Sequence, residues 1–310
     1  IMVINLNILS NPIIALNKLI SIIKNKKPDV IMGWMYHPCF LITLISKFID
    51  SKIKKIWNIR HSSVIFFKTK ILTFILVRYF LVFFSNLPNL IIFNSFHSKS
   101  VHISYGFKNP NINVIHNGFK KQSFKNKNIN KRLNLGFIGR YSPQKNFNFL
   151  FEIISFLKKK NLNFKFYLIG FNVNIRNKEL ISHINKYDIK DKIIFLKTKT
   201  DISNYFNLFD ATVSTSDYGE SFPNILAESL LSSTPCIATN FGENKFILKK
   251  GGLIYKKNNI NDFYSKLKKI LNLRKNKKNW TYFRKEGYYH IINEFSDKKM
   301  LTKYLKIYSI

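Results

Sequence analysis

Two carboxylates, Glu220 and Glu228, stand eight positions apart in residues 210–240, DATVSTSDYGESFPNILAESLLSSTPCIATN. The pattern there predicts a strand over 211–214, turn residues over 215–220 around Gly219, and then a helix. Pro223 suits a first helical turn, where a missing N–H costs nothing. Ile225, Leu226, Ser229 and Leu230 recur at helical spacing, and Pro235 stops the helix before a second apolar run. Read as helix, the steps from Ser221 to Glu228 span about 10 Å at 1.5 Å per residue. That is close to the distance from a transferred sugar to the ribose of a nucleotide sugar. A helix N-terminus between the two carboxylates favours phosphate, through its free N–H groups and its dipole. The plainer reading is a half-buried helix with a solvated Glu at each end, Glu220 in an exposed loop. A glycosidase pair is a third reading. It fits less well, because Glu228 would lie two turns into the helix, poorly placed to face Glu220 across a glycosidic bond.

A second constellation is GFIGRYSPQKN, residues 136–146. A predicted strand ends at Gly139, and Arg140 and Lys145 bracket a Pro-containing turn that leads into a helix. Two cations at the carboxyl end of a strand, facing a helix N-terminus, suit a diphosphate. Arg offers a planar fork and Lys a point charge. In so Lys-rich a chain, two solvated cations are the competing reading. A third stretch is WNIRHSS, residues 57–63, which sets His61 just past the end of a strand, beside Arg60.

Glu220, Ser221, Phe222, Pro223 and Glu228 resemble the E-x7-E signature of the retaining glycosyltransferases of family 4, which have the GT-B fold. Arg140 and Lys145 match the family's G-R-x-x-x-x-K arrangement at the start of its second domain. Residues 114–118, VIHNG, are similar to the run that closes its first domain. The resemblance covers nearly the whole chain and is strongest over residues 133–255. It implies a hexose or N-acetylhexosamine moved with retention from a nucleotide diphosphate sugar to a glycan or lipid-linked acceptor, in cell-surface polysaccharide or glycolipid synthesis. Glu220 would orient the sugar hydroxyls, with Ser221, Phe222 and Pro223 beside the donor. Glu228 would bind the ribose, and His61 would contact the sugar or its phosphate. Residues 196–198, ending at Thr198, would receive the base through backbone groups. The resemblance implies no metal or other cofactor, and the sequence has no D-x-D motif. It departs from the family at Phe171, where a second Gly usually follows Gly170. It also departs at the start, where the family's strand and glycine-rich loop are not seen before Ile13.

The elements that would position these residues alternate. Strands are predicted over 29–34, 55–60, 90–94 and 113–116, with helices over 13–24, 39–49, 71–84 and 98–105. Residues 119–132 are basic and without periodicity. Alternation restarts with strands over 133–138, 164–169, 192–196, 211–214 and 253–255. Such alternation means parallel sheets with helices on both faces. The fold expected is two doubly wound Rossmann-like domains facing a central cleft, the first of them incomplete by a βαβ unit. The first domain would cover 1–119, a linker 120–132 and the nucleotide-sugar domain 133–290. A closing helix over 291–310 would pack back on the first domain.

The chain has 51 Lys plus Arg against 16 Asp plus Glu, a formal net charge of +35. The basic residues are scattered, and the excess of Lys, Asn, Ile and Phe together points to compositional bias. No nucleic-acid-binding signature accompanies them, so no specific nucleic acid is expected. An anionic membrane surface is compatible with the charge. The most apolar run, residues 71–84, is shorter than a membrane span and is interrupted by Arg78. Cys39 and Cys236 have no metal or redox spacing and read as buried thiols of a reducing compartment. A cytoplasmic protein, peripheral on the inner face of the membrane, is expected. The alternatives from other classes are a non-catalytic GT-B remnant that binds nucleotide sugar, and a basic membrane-surface or nucleic-acid-binding protein.

Overall fold

The computed structural model describes residues 11–127, 129, 131–197 and 202–308. The chain folds as two compact units. One gathers the residues up to Ile115 together with the end of the chain from Lys306 onward; the other is His116–Leu305.

The first unit opens with α1 (Pro12–Lys26), followed by β1 (Val30–Trp34), α2 (Tyr36–Ile45) and β2 (Lys54–Ile59). Helix α2 begins and ends a few residues earlier than the apolar run at 39–49 predicts. Next come α3 (Ile71–Ile75), continued by a wider π turn over Leu76–Leu81, then β3 (Leu90–Phe93), α4 (Phe96–Ser104) and β4 (Ile112–Val114). The four strands pair in parallel in the order β1-β2-β3-β4. Trp57, Ile59, Ile91 and Phe93 are buried under Val77 and Leu81 of the continued α3. The order of the strands never reverses, so the described part of this sheet has no topological switch point of its own.

The second unit holds β5 (Leu133–Ile138), α5 (Phe147–Lys159), β6 (Phe164–Ile169), α6 (Lys178–Lys186) and β7 (Ile193–Phe195). It continues with α7 (Ser203–Phe206), β8 (Ala211–Ser214), α8 (Asn224–Leu231), β9 (Cys236–Thr239), α9 (Asn244–Ile247) and β10 (Gly252–Tyr255). Three helices close it: α10 (Ile260–Arg274), α11 (Lys277–Glu294) and α12 (Asp297–Tyr308), whose last turn falls in the first unit. The sheet is parallel, in the order β10-β9-β8-β5-β6-β7. From β5 the chain winds outward through β6 and β7, then returns to lay β8 against the other edge of β5. That reversal is the doubly wound pattern, and ligands bind at the carboxyl ends of the two strands that flank it.

Residues 119–127 carry no helix, and they are laid against this second unit. Phe119 makes an isolated bridge to Ser296. The Tyr288 hydroxyl donates to the Gln122 carbonyl at 2.5 Å, and the Lys125 N–H donates to Ser233 Oγ at 3.0 Å. Lys127 Nζ donates to the carbonyls of Phe206 and Phe209 and to Thr234 Oγ1. Both cysteines are buried and free.

Candidate active site

The switch point lies between β5 and β8, and the loops after those strands hold Arg140, Lys145 and Glu220. Neither loop is helical at first, so their side chains stand at the sheet's carboxyl edge. After β5, a short 3-10 turn over Pro143–Lys145 leads to Asn146, which caps α5 by accepting from the Phe149 N–H at 3.3 Å. Lys145 is thereby held at the helix start, its stem lying along Gly139, where a Cβ would meet it at 3.0 Å. After β8 the chain turns at Gly219, whose φ of +73° favours glycine.

The two loops are joined by side chains. Lys145 Nζ lies 2.5 Å from Glu220 Oε1. Ser216 Oγ donates to the same carboxylate oxygen at 3.4 Å, and Thr215 Oγ1 donates to the Lys145 carbonyl at 2.6 Å. Glu220 therefore sits 16 % exposed in an ion pair, not in the exposed loop expected from sequence. Arg140 is exposed, and its Nη2 donates to Gln144 Oε1 at 3.1 Å. Gln144 in turn lies against Gly219. Gln144, Thr215 and Ser216 have no periodicity or charge that marks them in sequence. The one available signal for Gln144 was its place between Arg140 and Lys145 in a Pro turn.

Helix α8 starts at Asn224, with Pro223 as the residue before its first turn. The expectation of helix from Ser221 onward is thus corrected. Ser221, Phe222 and Pro223 are buried and form an irregular turn, so the 1.5 Å rise applies only from Asn224. Pro223, with φ −72° and ψ 96°, keeps an extended ψ that a helix cannot use. Glu228 lies in the second turn of α8, nearer the helix start than predicted, and burial pushes its carboxyl above the usual Glu range. At the start of the same helix, Asn117 Nδ2 donates to Asn224 Oδ1. Beside it, the His116 ring packs among Phe222, Phe246 and Phe295.

The loop after β6 passes close to the loop after β5. Gly170 has φ +156°, and a Cβ on it would lie 2.0 Å from the Gly139 carbonyl oxygen. Phe171 then accepts from the Tyr141 N–H at 2.9 Å while its own side chain faces solvent. In the stretch proposed for the base, the Leu196 N–H is already bonded to the Leu168 carbonyl and the Lys197 carbonyl accepts from Tyr205. Thr198 lies outside the described residues.

In the first unit, His61 follows β2. Ser98 Oγ donates to its carbonyl at 2.7 Å, and the ring centre lies 6.1 Å from that of Tyr36. The Arg60 guanidinium is 4.8 Å from the centre of the Trp34 ring. Among the described residues no group of three or more His, Cys, Asp or Glu could hold a metal ion.

A family model described as glycosyl transferases group 1 matches residues 118–287, and one described as glycosyltransferase family 4 matches residues 3–122. No curated protein matches the chain. Solved structures do. TarM of S. aureus aligns at TM-score 0.77 and 20% identity over 96% of this chain, which spans only 58% of TarM. A glycosyltransferase from Rickettsia africae ESF-5 aligns at TM-score 0.77 and 18% identity, over 99% of this chain and 83% of that one. Anabaena Alr3699/HepE, solved in complex with UDP, aligns at TM-score 0.79 and 16% identity, over 95% and 82%. At such identities the likeness establishes the fold: two parallel α/β sheets of the GT-B kind.

Proposed function

The chain belongs to the glycosyl transferases group 1 family, and from that premise we propose that it moves a hexose or N-acetylhexosamine from a nucleotide diphosphate sugar to a glycan or lipid-linked acceptor. The observation that carries the reading is the Lys145–Glu220 pair at the β5/β8 switch point, with Arg140 beside it. A diphosphate needs cations, and sugar hydroxyls need an acceptor. The pair sets one of each at adjoining positions, 2.5 Å apart.

In this reading Arg140 and Lys145 neutralise charge as the diphosphate leaves, the main electrostatic task of the reaction. Lys145 exchanges part of its bond to Glu220 for a phosphate oxygen. Glu220 then accepts from sugar hydroxyls, with Ser221, Phe222 and Pro223 shaping the turn behind it. Glu228 accepts from the ribose hydroxyls. The reading assigns His61, of the first unit, to contact with the sugar or its phosphate, and Thr198 to the base. The bond from the anomeric carbon to the phosphate oxygen breaks, and a bond to the acceptor oxygen forms on the same face. The acceptor's proton passes to the leaving phosphate. No resident metal enters this scheme.

Support comes from the fold likeness to HepE, which has also been solved with UDP-glucose, and to TarM, solved with UDP and alpha-GlcNAc-glycerol. The test is a thermal-shift screen of UDP-, GDP- and ADP-sugars on the full chain, followed by transfer assays with the sugar that binds. A ligand at 100 times its Kd should add about 2.7 kcal/mol of stability. Stabilisation by none of them, at any concentration tried, refutes the reading.

A further inference from the structure

The helix that covers the first sheet is apolar on both sides. Val77 and Leu81 are fully buried against the strands, as a core helix requires. On its outer side Ile71, Leu72, Ile75, Tyr79, Phe80 and Phe83 are exposed, with Leu72 at 77% and Phe83 at 80%. The preceding 3-10 turn adds Phe67, at 93%. These positions recur every three or four residues, and the wider turn at Leu76–Leu81 brings Phe80 into the same strip. So continuous an exposed apolar strip marks a docking surface.

The charge around it selects the occupant. From Ser51 to Phe151 the sequence contains no Asp or Glu at all. Lys68 and Lys70 stand exposed at the start of the strip. Near its far end, Arg78 and Lys108 line a concavity of about 690 Å³ together with Tyr79 and Phe83. A second copy of the chain would bring cation against cation across a two-fold contact, which is unfavourable. An anionic phospholipid surface satisfies both features, with acyl chains for the aromatic strip and phosphate for the cations.

We propose that residues 66–83 lie in the interface of an anionic membrane, with Phe67, Leu72, Tyr79 and Phe83 inserted and a lipid phosphate held between Arg78 and Lys108. The binding is interfacial, because among the described residues no helix is long and apolar enough to cross a membrane. This proposal does not depend on the transfer reaction.

Vesicle flotation of the full chain tests it. The chain should float with vesicles of mixed phosphatidylglycerol and phosphatidylcholine, and should remain partly bound at about 1 M salt, where the screening length is about 3 Å. Leu72→Asp and Phe83→Asp should each lower partitioning about tenfold or more. Lys108→Ala should lower it about fivefold. Because these side chains are exposed, the melting temperature of the free protein should not change. As a second readout, Phe83→Trp fluorescence should be quenched by brominated acyl chains. Failure to float, full release by salt with no effect of the Asp substitutions, or a dimer dispersed by Leu72→Asp without vesicle binding would each overturn the proposal.

Discussion

Lys145 Nζ and Glu220 Oε1, seventy-five residues apart in sequence, lie 2.5 Å from each other across the reversal point of the second sheet. The cation assigned to the diphosphate and the carboxylate assigned to the sugar are therefore one coupled unit. Neither can be removed without changing the charge felt by the other.

Coupling of that kind has a measurable signature. Glu220→Ala should lower transfer about hundredfold while the protein stays folded, since the loss of one charged hydrogen bond is worth up to about 3 kcal/mol. Lys145→Ala should lower it as well, and the double variant should cost less than the sum of the two. Kinetics on the four proteins of the cycle measure this. Strict additivity would mean that the pair does not act together.

Arg140→Ala should weaken binding of the nucleoside diphosphate by about 1.5–3 kcal/mol and leave nucleoside binding nearly unchanged. Gln144→Ala should show a smaller loss in the same direction, because Gln144 only holds the guanidinium in place at 3.1 Å. Calorimetry with both ligands separates the cases. Equal losses for nucleoside and diphosphate would remove Arg140 from the phosphate site.

Gly170→Ala should destabilise the second unit by about 1–3 kcal/mol, the cost of a strained backbone. The added Cβ would meet the Gly139 carbonyl at 2.0 Å, so either loop must shift. Because Gly139 borders Lys145, diphosphate affinity should fall too. Chemical denaturation and ligand binding on the same variant test both effects.

Lys127 supplies a pH dependence. Burial among protein carbonyls, with the Arg284 cation adding to it, pushes its ammonium down to about 7. The folded state thus prefers the neutral amine, while the unfolded chain keeps the ordinary Lys value of about 10.4. The contribution of Lys127 to stability is present at high pH and is lost as pH falls toward 7. Between about pH 7 and 10, wild type should gain stability relative to Lys127→Met, by at most about 1.4 kcal/mol per pH unit. Urea melts across that range are the measurement. A difference that does not vary with pH would show that Lys127 stays charged in the folded protein.

Much of the architecture was legible in the sequence because it is written locally. Strands such as Phe164–Ile169 and Ala211–Ser214 coincide with the predicted runs, since a strand largely buried on both faces reads as a short, mainly apolar run between turn residues. Short elements were less legible. Helix α9, Asn244–Ile247, has a single turn and no period to detect. The start of α8 was misplaced because Pro223 is equally at home just before a helix and in its first turn.

Residue order along the chain was enough to set the alternation of strand and helix, the residue types able to meet a diphosphate and a sugar, and the stretch free of carboxylates from Ser51 to Phe151. Tertiary structure alone decided that β8 returns to lie beside β5. Only that pairing sets Glu220 against Lys145, Thr215 against the Lys145 carbonyl and Gln144 against Gly219. It also decided which side of residues 71–83 meets the sheet and which is left bare. The reason is physical. Periodicity and turn chemistry act over a few residues and can be read in order along the chain. Strand order is fixed by packing between distant segments, which no local pattern records.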